Sequence, residues 1–185
     1  CIYPIIGRHA YGWSFVGSDI DPIALAAAAR TIAANPTLRD GVELRRQSDP
    51  LKIFRDVLQP GERFDLAICN PPFHASAFEA AAGTQRKLRN LAAGKKVTLT
   101  RNFGGKSNEL WCAGGERAFV RRMIAESAEF RRAIGWFTTL VAKSENLADI
   151  QRALARIQPV EVRTIPMAQG QKQSRIVAWR FSGNH

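Results

Sequence analysis

The chain has 185 residues, 45% of them hydrophobic, which is enough for one domain with a real core and too apolar for a disordered segment. It holds no run of 18 or more apolar residues, so no membrane-spanning helix is expected. The formal net charge of +11 is unevenly placed: residues 1–85 carry eight Lys/Arg against nine Asp/Glu, and residues 86–185 carry nineteen against seven, as a polyanionic partner would require.

In chain order, Trp13 to Ser18 reads as a strand. Asp21-Pro22 opens a helix, with Asp as N-cap and Pro at the first helical position. The Ala-rich run from Ile23 to Ala34 continues it, and Asn35-Pro36 stops it. Val42 to Arg46 is a short strand, Leu51 to Leu58 a short helix ended by Pro60-Gly61, and Phe64 to Cys69 the next strand. From His74 to about Gly114 neither period persists, and so long a stretch inside a compact domain is usually functional or mobile. Gly115 to Arg131 then forms an amphipathic helix, with Phe119, Val120, Met123, Ile124 and Ser127 on one face. Ile134 to Ala142 is an apolar strand. Asn146 to Ile157 is a helix with Leu147, Ile150, Leu154 and Ile157 at helical spacing. Val160 to Ile165 and Arg175 to Phe181 are strands whose short basic link implies an antiparallel hairpin.

This alternation predicts an α/β protein of Rossmann-like type. It has a mostly parallel sheet with helices on both faces and a terminal antiparallel hairpin, residues 1–185 forming a single domain. Cys1, Cys69 and Cys112 lie far apart without a CxxC pair, which argues against a zinc site or a disulfide framework and fits a reducing cytoplasm. No metal is expected. Cys69 reads as a small buried hydrophobe.

The residues that carry chemistry follow the third strand. Asn70-Pro71-Pro72-Phe73 places a side-chain amide, a rigid turn and an aromatic ring at a strand end. The Asn70 carbonyl and the Pro71 backbone carbonyl can each accept a hydrogen from an exocyclic NH2, the prolines hold the turn, and Phe73 can stack on an extruded base. An aniline-like amine is a poor nucleophile because its lone pair is delocalised into the ring. Two acceptors aimed at its hydrogens favour a pyramidal nitrogen, so catalysis by positioning and polarisation suffices against an activated methyl donor. His74 either assists proton loss, contacts a phosphate, or is a solvated loop residue. Upstream, Asp19 ends a strand where an acidic side chain can bond both hydroxyls of a ribose, and Asp21 is the helix cap. Ser48 or Asp49, after the next strand, either contacts a cofactor adenine or caps the following turn. Arg86, Lys87, Arg89, Lys95 and Lys96 in the insertion interleave with aromatics and glycines, as binding to a flexible RNA strand requires. Lys172 and Arg175 lie in a second basic loop, Gln169 to Arg175, which can rise beside the site or fall at the opposite sheet edge.

Taken together, C-I-Y-P at 1–4, N-P-P-F-H at 70–74, R-N-L at 89–91, N-F-G-G at 102–105, E-L-W-C at 109–112, G-G-E at 114–116, W-F-T at 136–138 and M-A-Q-G-Q-K-Q-S-R at 167–175 resemble the bacterial 23S ribosomal RNA adenine-N6 methyltransferases of the large-subunit type F family. Animal relatives methylate adenine in U6 small nuclear RNA. The resemblance implies a class I methyltransferase fold, S-adenosyl-L-methionine as donor, and one adenine of 23S rRNA, free or in a precursor particle, as acceptor. In that family a first strand and a glycine-rich loop precede Cys-Ile-Tyr-Pro, and no G-x-G turn occurs here before Asp19. The chain is therefore expected to be the C-terminal portion of a longer protein that by itself binds the cofactor poorly and aggregates. DNA adenine-N6 and protein glutamine-N5 methylation use the same amide-gripping logic. A non-catalytic RNA-binding or ribosome-assembly module is the other alternative, and it would have no need of two acceptors around an amine.

Overall fold

The computed structural model describes residues 1–76, 111–169 and 172–183. The chain forms two compact units, Cys1–Pro60 and Gly61–His185. In the first, α1 (Ile2–Tyr11) precedes β1 (Phe15–Asp19), α2 (Pro22–Ala34), the short α3 (Pro36–Arg39) and β2 (Val42–Arg46). The second holds β3 (Phe64–Cys69), α4 (Gly115–Ser127), β4 (Ile134–Val141), a 3₁₀ turn (Ser144–Asn146), α5 (Leu147–Ile157), β5 (Glu161–Gln169) and β6 (Lys172–Arg180). Among the described residues no helix is long and apolar enough to cross a membrane.

In the first unit β1 and β2 pair in parallel, Phe15 opposite Val42 and Asp19 opposite Arg46. Asp21 caps α2 as the sequence indicates. Its side chain accepts from the Ile23 N–H at 2.8 Å, with Pro22 at the first helical position. Helix α1 was not anticipated from the sequence. It closes at Gly12, whose φ of 68° gives the left-handed cap and lets its N–H bond the Arg8 carbonyl. Gly7 is buried where the chain comes closest, since a Cβ there would lie 2.4 Å from the Phe15 ring. Arg8 ties α1 to α3 by donating to the Thr37 carbonyl at 3.0 Å.

The helix expected over Leu51–Leu58 does not form; the segment is a series of turns and bends. Asp56 has φ of 64°, outside the right-handed region. Side chains from β2 and the turn after it hold the segment, Arg45 Nη1 donating to the Val57 carbonyl and Gln47 Nε2 to the Arg55 carbonyl, both at 2.7 Å. Phe54 and Val57 are nonetheless buried.

The second unit is a four-stranded sheet in the order β3-β4-β6-β5, with β3 and β4 parallel and the rest antiparallel. Along β4, Ile134, Phe137, Thr139 and Val141 are buried. Phe137 stacks on Trp179 of β6 with ring centroids 5.7 Å apart, and the Trp179 indole donates to Ser127 Oγ of α4 at 2.9 Å. Val120, Met123 and Ile124 of α4 and Ile150 and Leu154 of α5 complete this core, which matches the apolar face read from the sequence. The opposite sheet face carries Trp136, with the guanidinium groups of Arg163 and Arg180 4.9 and 5.2 Å from its ring centre. Glu161 bonds both arginines. The Arg163 guanidinium first, and that of Arg180 next, hold its carboxyl below the usual carboxylate range.

The terminal hairpin is longer than expected. Gln169 pairs with Lys172, so the strands run to within two residues of each other. The segment expected as a basic loop from Gln169 to Arg175 is thus mostly strand. Polar side chains at Gln173 and Ser174 hide the period that apolar residues would have shown, while the backbone pairing continues regardless.

Candidate active site

Strand β3 sets the position of Asn70. Cys69, its last residue, lies opposite Thr139 of β4. The Thr138 hydroxyl donates to the Ala67 carbonyl at 2.8 Å, and Gly135 admits the Asp65 carbonyl so closely that a Cβ would lie 2.7 Å from that oxygen. Both contacts resist a slip of register, which would turn every side chain of β3 to the other face. Asn70, one residue beyond, is exposed, and no hydrogen bond engages its side chain among the described residues. Pro71 is buried, and Pro72, Phe73 and His74 are half-buried. An amide with unused hydrogen-bonding capacity thus stands on a turn that its neighbours fix.

Cys69 is half-buried, and desolvation pushes its thiol up to about 12, which the Thr139 hydrogen bond offsets only in part. The group stays protonated at neutral pH, so iodoacetamide at pH 7.5 should leave Cys69 unmodified in the folded protein and label it after denaturation. Since the folded value lies above the ordinary 9.0, the neutral thiol's contribution to stability is complete below pH 9 and falls away as pH rises towards 12.

The segment after Phe73 is held by the residues preceding α4. His74 bridges Trp111, and its carbonyl accepts from the Cys112 N–H at 3.1 Å. Gly114 and Gly115 have φ of 78° and 61°. A Cβ on Gly115 would lie 3.1 Å from Ala75 N and 3.2 Å from the His74 carbonyl carbon. Glu116, 1% exposed, accepts from the Ala142 and Lys143 N–H groups at 2.7 and 3.2 Å and from Asn146 Nδ2 at 2.7 Å. Sequence reasoning missed Glu116 as a buried residue. The signal for it was an acidic residue directly after a Gly-Gly pair, on the helix edge otherwise lined by apolar side chains.

The register also decides where the hairpin lies. Arg175 pairs with Val141, the last residue of β4, so the start of β6 sits at the sheet edge to which β3 delivers Asn70. Arg175 is half-buried, with Nη1 buried and without a hydrogen-bond partner among the described residues. Lys172 opens β6 beside it. Arg86, Lys87, Arg89, Lys95 and Lys96 lie outside the described residues. Groups of three or more His, Cys, Asp or Glu able to hold a metal are absent among the described residues.

In the first unit the predicted cofactor residues share one edge. Asp19 ends β1, half-buried; its Oδ1 accepts from the Asp21 N–H at 2.8 Å, and its backbone carbonyl accepts from the Gln47 N–H at 3.0 Å. Its second carboxylate oxygen has no partner among the described residues. The turn that follows β2 is built by Gln47, whose Oε1 accepts from the Asp49 N–H at 2.9 Å, and by Asp49, whose Oδ1 accepts from the Leu51 N–H at 2.8 Å. Asp49 is thus a turn cap, while Ser48 is exposed.

A strand ending in Asn-Pro-Pro-Phe, parallel to its neighbour and extended by an antiparallel pair, belongs to the class I methyltransferase fold. The solved catalytic domain of hMettl16 in complex with MAT2A 3'UTR hairpin 1 shares it, with 27% identity and a TM-score of 0.80 over 98% of this chain and 60% of that one. The N-terminal domain of human METTL16 in complex with SAH is similar in fold, at 21% identity and a TM-score of 0.72 over 99% of this chain and 58% of that one.

The chain belongs to the RNA methyltransferase family whose model matches residues 1–183. It is 54% identical over 181 residues to the ribosomal RNA large subunit methyltransferase F of Cytophaga hutchinsonii, covering 98% of this chain and 56% of that protein. It is 55% identical to the protein of the same name from Pectobacterium carotovorum, covering 98% and 58%. The chain therefore spans a little over half the length of the curated relatives it matches.

Proposed function

We propose that the protein containing these residues transfers a methyl group from S-adenosyl-L-methionine to N6 of one adenine in 23S rRNA. The observation that carries this reading is the exposed amide of Asn70, unengaged among the described residues, at the end of a parallel strand and followed by a rigid Pro-Pro turn and an aromatic ring. Asn70 Oδ1 and the Pro71 carbonyl accept the two amine hydrogens and localise the nitrogen lone pair, and Phe73 stacks on the base. N6 gains the methyl group and loses one proton to solvent. The second carboxylate oxygen of Asp19, without a partner among the described residues, fits a ribose hydroxyl, and exposed Ser48 suits the rim of an adenine site. Bound there, the cofactor would supply a sulfonium methyl, electrophilic without a metal. Residues 1–185 serve as one methyltransferase domain, with an RNA-gripping insertion at about 74–114. Arg86, Lys87, Arg89, Lys95, Lys96, Lys172 and Arg175 are its proposed phosphate ligands, and the cytoplasm is its place of action.

The relatives named as ribosomal RNA methyltransferases support an rRNA substrate, as does the concentration of positive charge in residues 86–185. The test offers the full-length protein labelled cofactor with deproteinised 23S rRNA, duplex DNA and ribosomal protein in parallel. Label is expected in rRNA as N6-methyladenine. Label confined to DNA or to protein glutamine overturns the reading, as does RNA binding without any transfer.

A further inference from the structure

We propose that Glu116 is a positioning residue for the Asn-Pro-Pro-Phe turn, an inference that rests on the methyl-transfer role of Asn70. Its carboxylate is buried yet fully engaged, by two backbone N–H groups just past β4 and by Asn146. A buried carboxylate is costly unless so satisfied. Being the second residue of α4, Glu116 could have capped its own helix, but these bonds reach instead to a different element. Ala142 and Lys143 lie at the edge that carries Asn70, because β3 and β4 run parallel with Cys69 opposite Thr139.

Glu116 thereby pins the start of α4 to that edge. Directly before it, Gly115 lies tightly against the backbone of His74 and Ala75, where a Cβ would come within 3.1–3.3 Å. The Gly115 N–H bonds the Cys112 carbonyl at 2.9 Å, and the Cys112 N–H bonds the His74 carbonyl at 3.1 Å. Between His74 and Asn70 stand two prolines and Phe73, a segment with few soft torsions. A shift of Gly115 therefore passes along the chain to Asn70 rather than being absorbed. The route is contiguous: the β4 edge, Glu116, Gly115, His74, the proline turn and Asn70.

Glutamine at position 116 keeps the shape but accepts through one oxygen only, so one backbone N–H must face an amide N–H. The test uses full-length protein with labelled cofactor and 23S rRNA. Glu116→Gln is expected to lower kcat by about tenfold to a hundredfold, the scale of a small misplacement of reacting groups, with KM for RNA within about twofold. Asn146→Ala, which removes only the side-chain donor, should give a smaller fall in kcat with KM likewise unchanged; it also serves if Glu116→Gln does not fold. Val120→Ala, a buried change one turn along α4 that leaves every donor and acceptor of this network in place, provides a variant of lowered stability that should keep wild-type kcat below its melting range. The inference is overturned if both network variants keep wild-type kcat, or if their kcat falls no further than that of Val120→Ala. Asn70→Ala runs alongside. Full activity in that variant would sink the methyl-transfer reading itself, whereas an inactive Asn70→Ala beside a fully active Glu116→Gln and Asn146→Ala would reject only the positioning role.

Discussion

Asn70→Ala is expected to lower kcat for methyl transfer by about 10²–10³-fold, the loss typical of removing one preorganised polar contact to a reacting group. The RNA dissociation constant should change by less than about threefold, since backbone phosphates dominate affinity for nucleic acid. Stability should hardly move. The side chain is exposed and makes no hydrogen bond among the described residues, and surface substitutions of that kind fall within about 0.5 kcal/mol. This combination separates a gripping amide from a structural one, because a structural Asn at a strand end would cost stability before activity. Asn70→Asp retains an acceptor oxygen at the same place and should keep more activity than the alanine variant. Single-turnover methylation, RNA binding by filter retention and thermal melting of the full-length protein give the three readouts. A variant with wild-type kcat would remove the chemical basis of the proposed reaction.

Much of this was legible because local chemistry and tertiary demand agree. The bounds of β2 and β3 are those the apolar runs indicate, and Asp21-Pro22 fixes the start of α2 by a cap that needs no partner beyond its own helix. Of the three divergences, two turn on contacts that lie far along the chain or on polar side chains. Helix α1 is the exception: Ile2, Ile5 and Ile6 stand at helical spacing and Gly12 supplies its stop, a pattern the sequence carries although these side chains are exposed. The turns over residues 51–58 depend on Arg45 and Gln47 reaching across to capture carbonyls. The hairpin extends through Lys172, Gln173 and Ser174 because backbone pairing does not require apolar side chains.

The candidate site divides in the same way. Asn70 could be read from its motif, since the chemistry of gripping an amine needs those residue types in sequence. For Glu116 the sequence marks only the place, by the Gly-Gly pair before it, because its partners Ala142, Lys143 and Asn146 stand 26–30 positions away. The Gly-Gly pair before it looked like loop composition. The structure gives it a conformational reason: two left-handed residues, the second held tightly against the backbone of His74 and Ala75.

The largest effect on stability is expected at Phe137. Its side chain is 0% exposed, stacks on Trp179 and meets the edge of Phe181 at 6.0 Å. Phe137→Ala should cost about 3–5 kcal/mol, the transfer free energy of the ring plus the cavity it leaves. That is a large share of the roughly 5–15 kcal/mol that holds a domain together. Phe137→Leu, which keeps most of the volume but none of the ring stacking, should cost about 1–2 kcal/mol. Guanidinium denaturation followed by tryptophan fluorescence reads both. A loss below about 1 kcal/mol for the alanine variant would show that Phe137 does not pack between β4 and β6 as described. The position matters for the site as well. Phe137 belongs to the strand that holds β3 in register, and Trp179 beside it is anchored to α4 through Ser127. Loosening this stack therefore frees the strand and the helix that together hold Asn70, so the alanine variant should lose activity on warming at a lower temperature than the leucine variant, in the order of their stabilities.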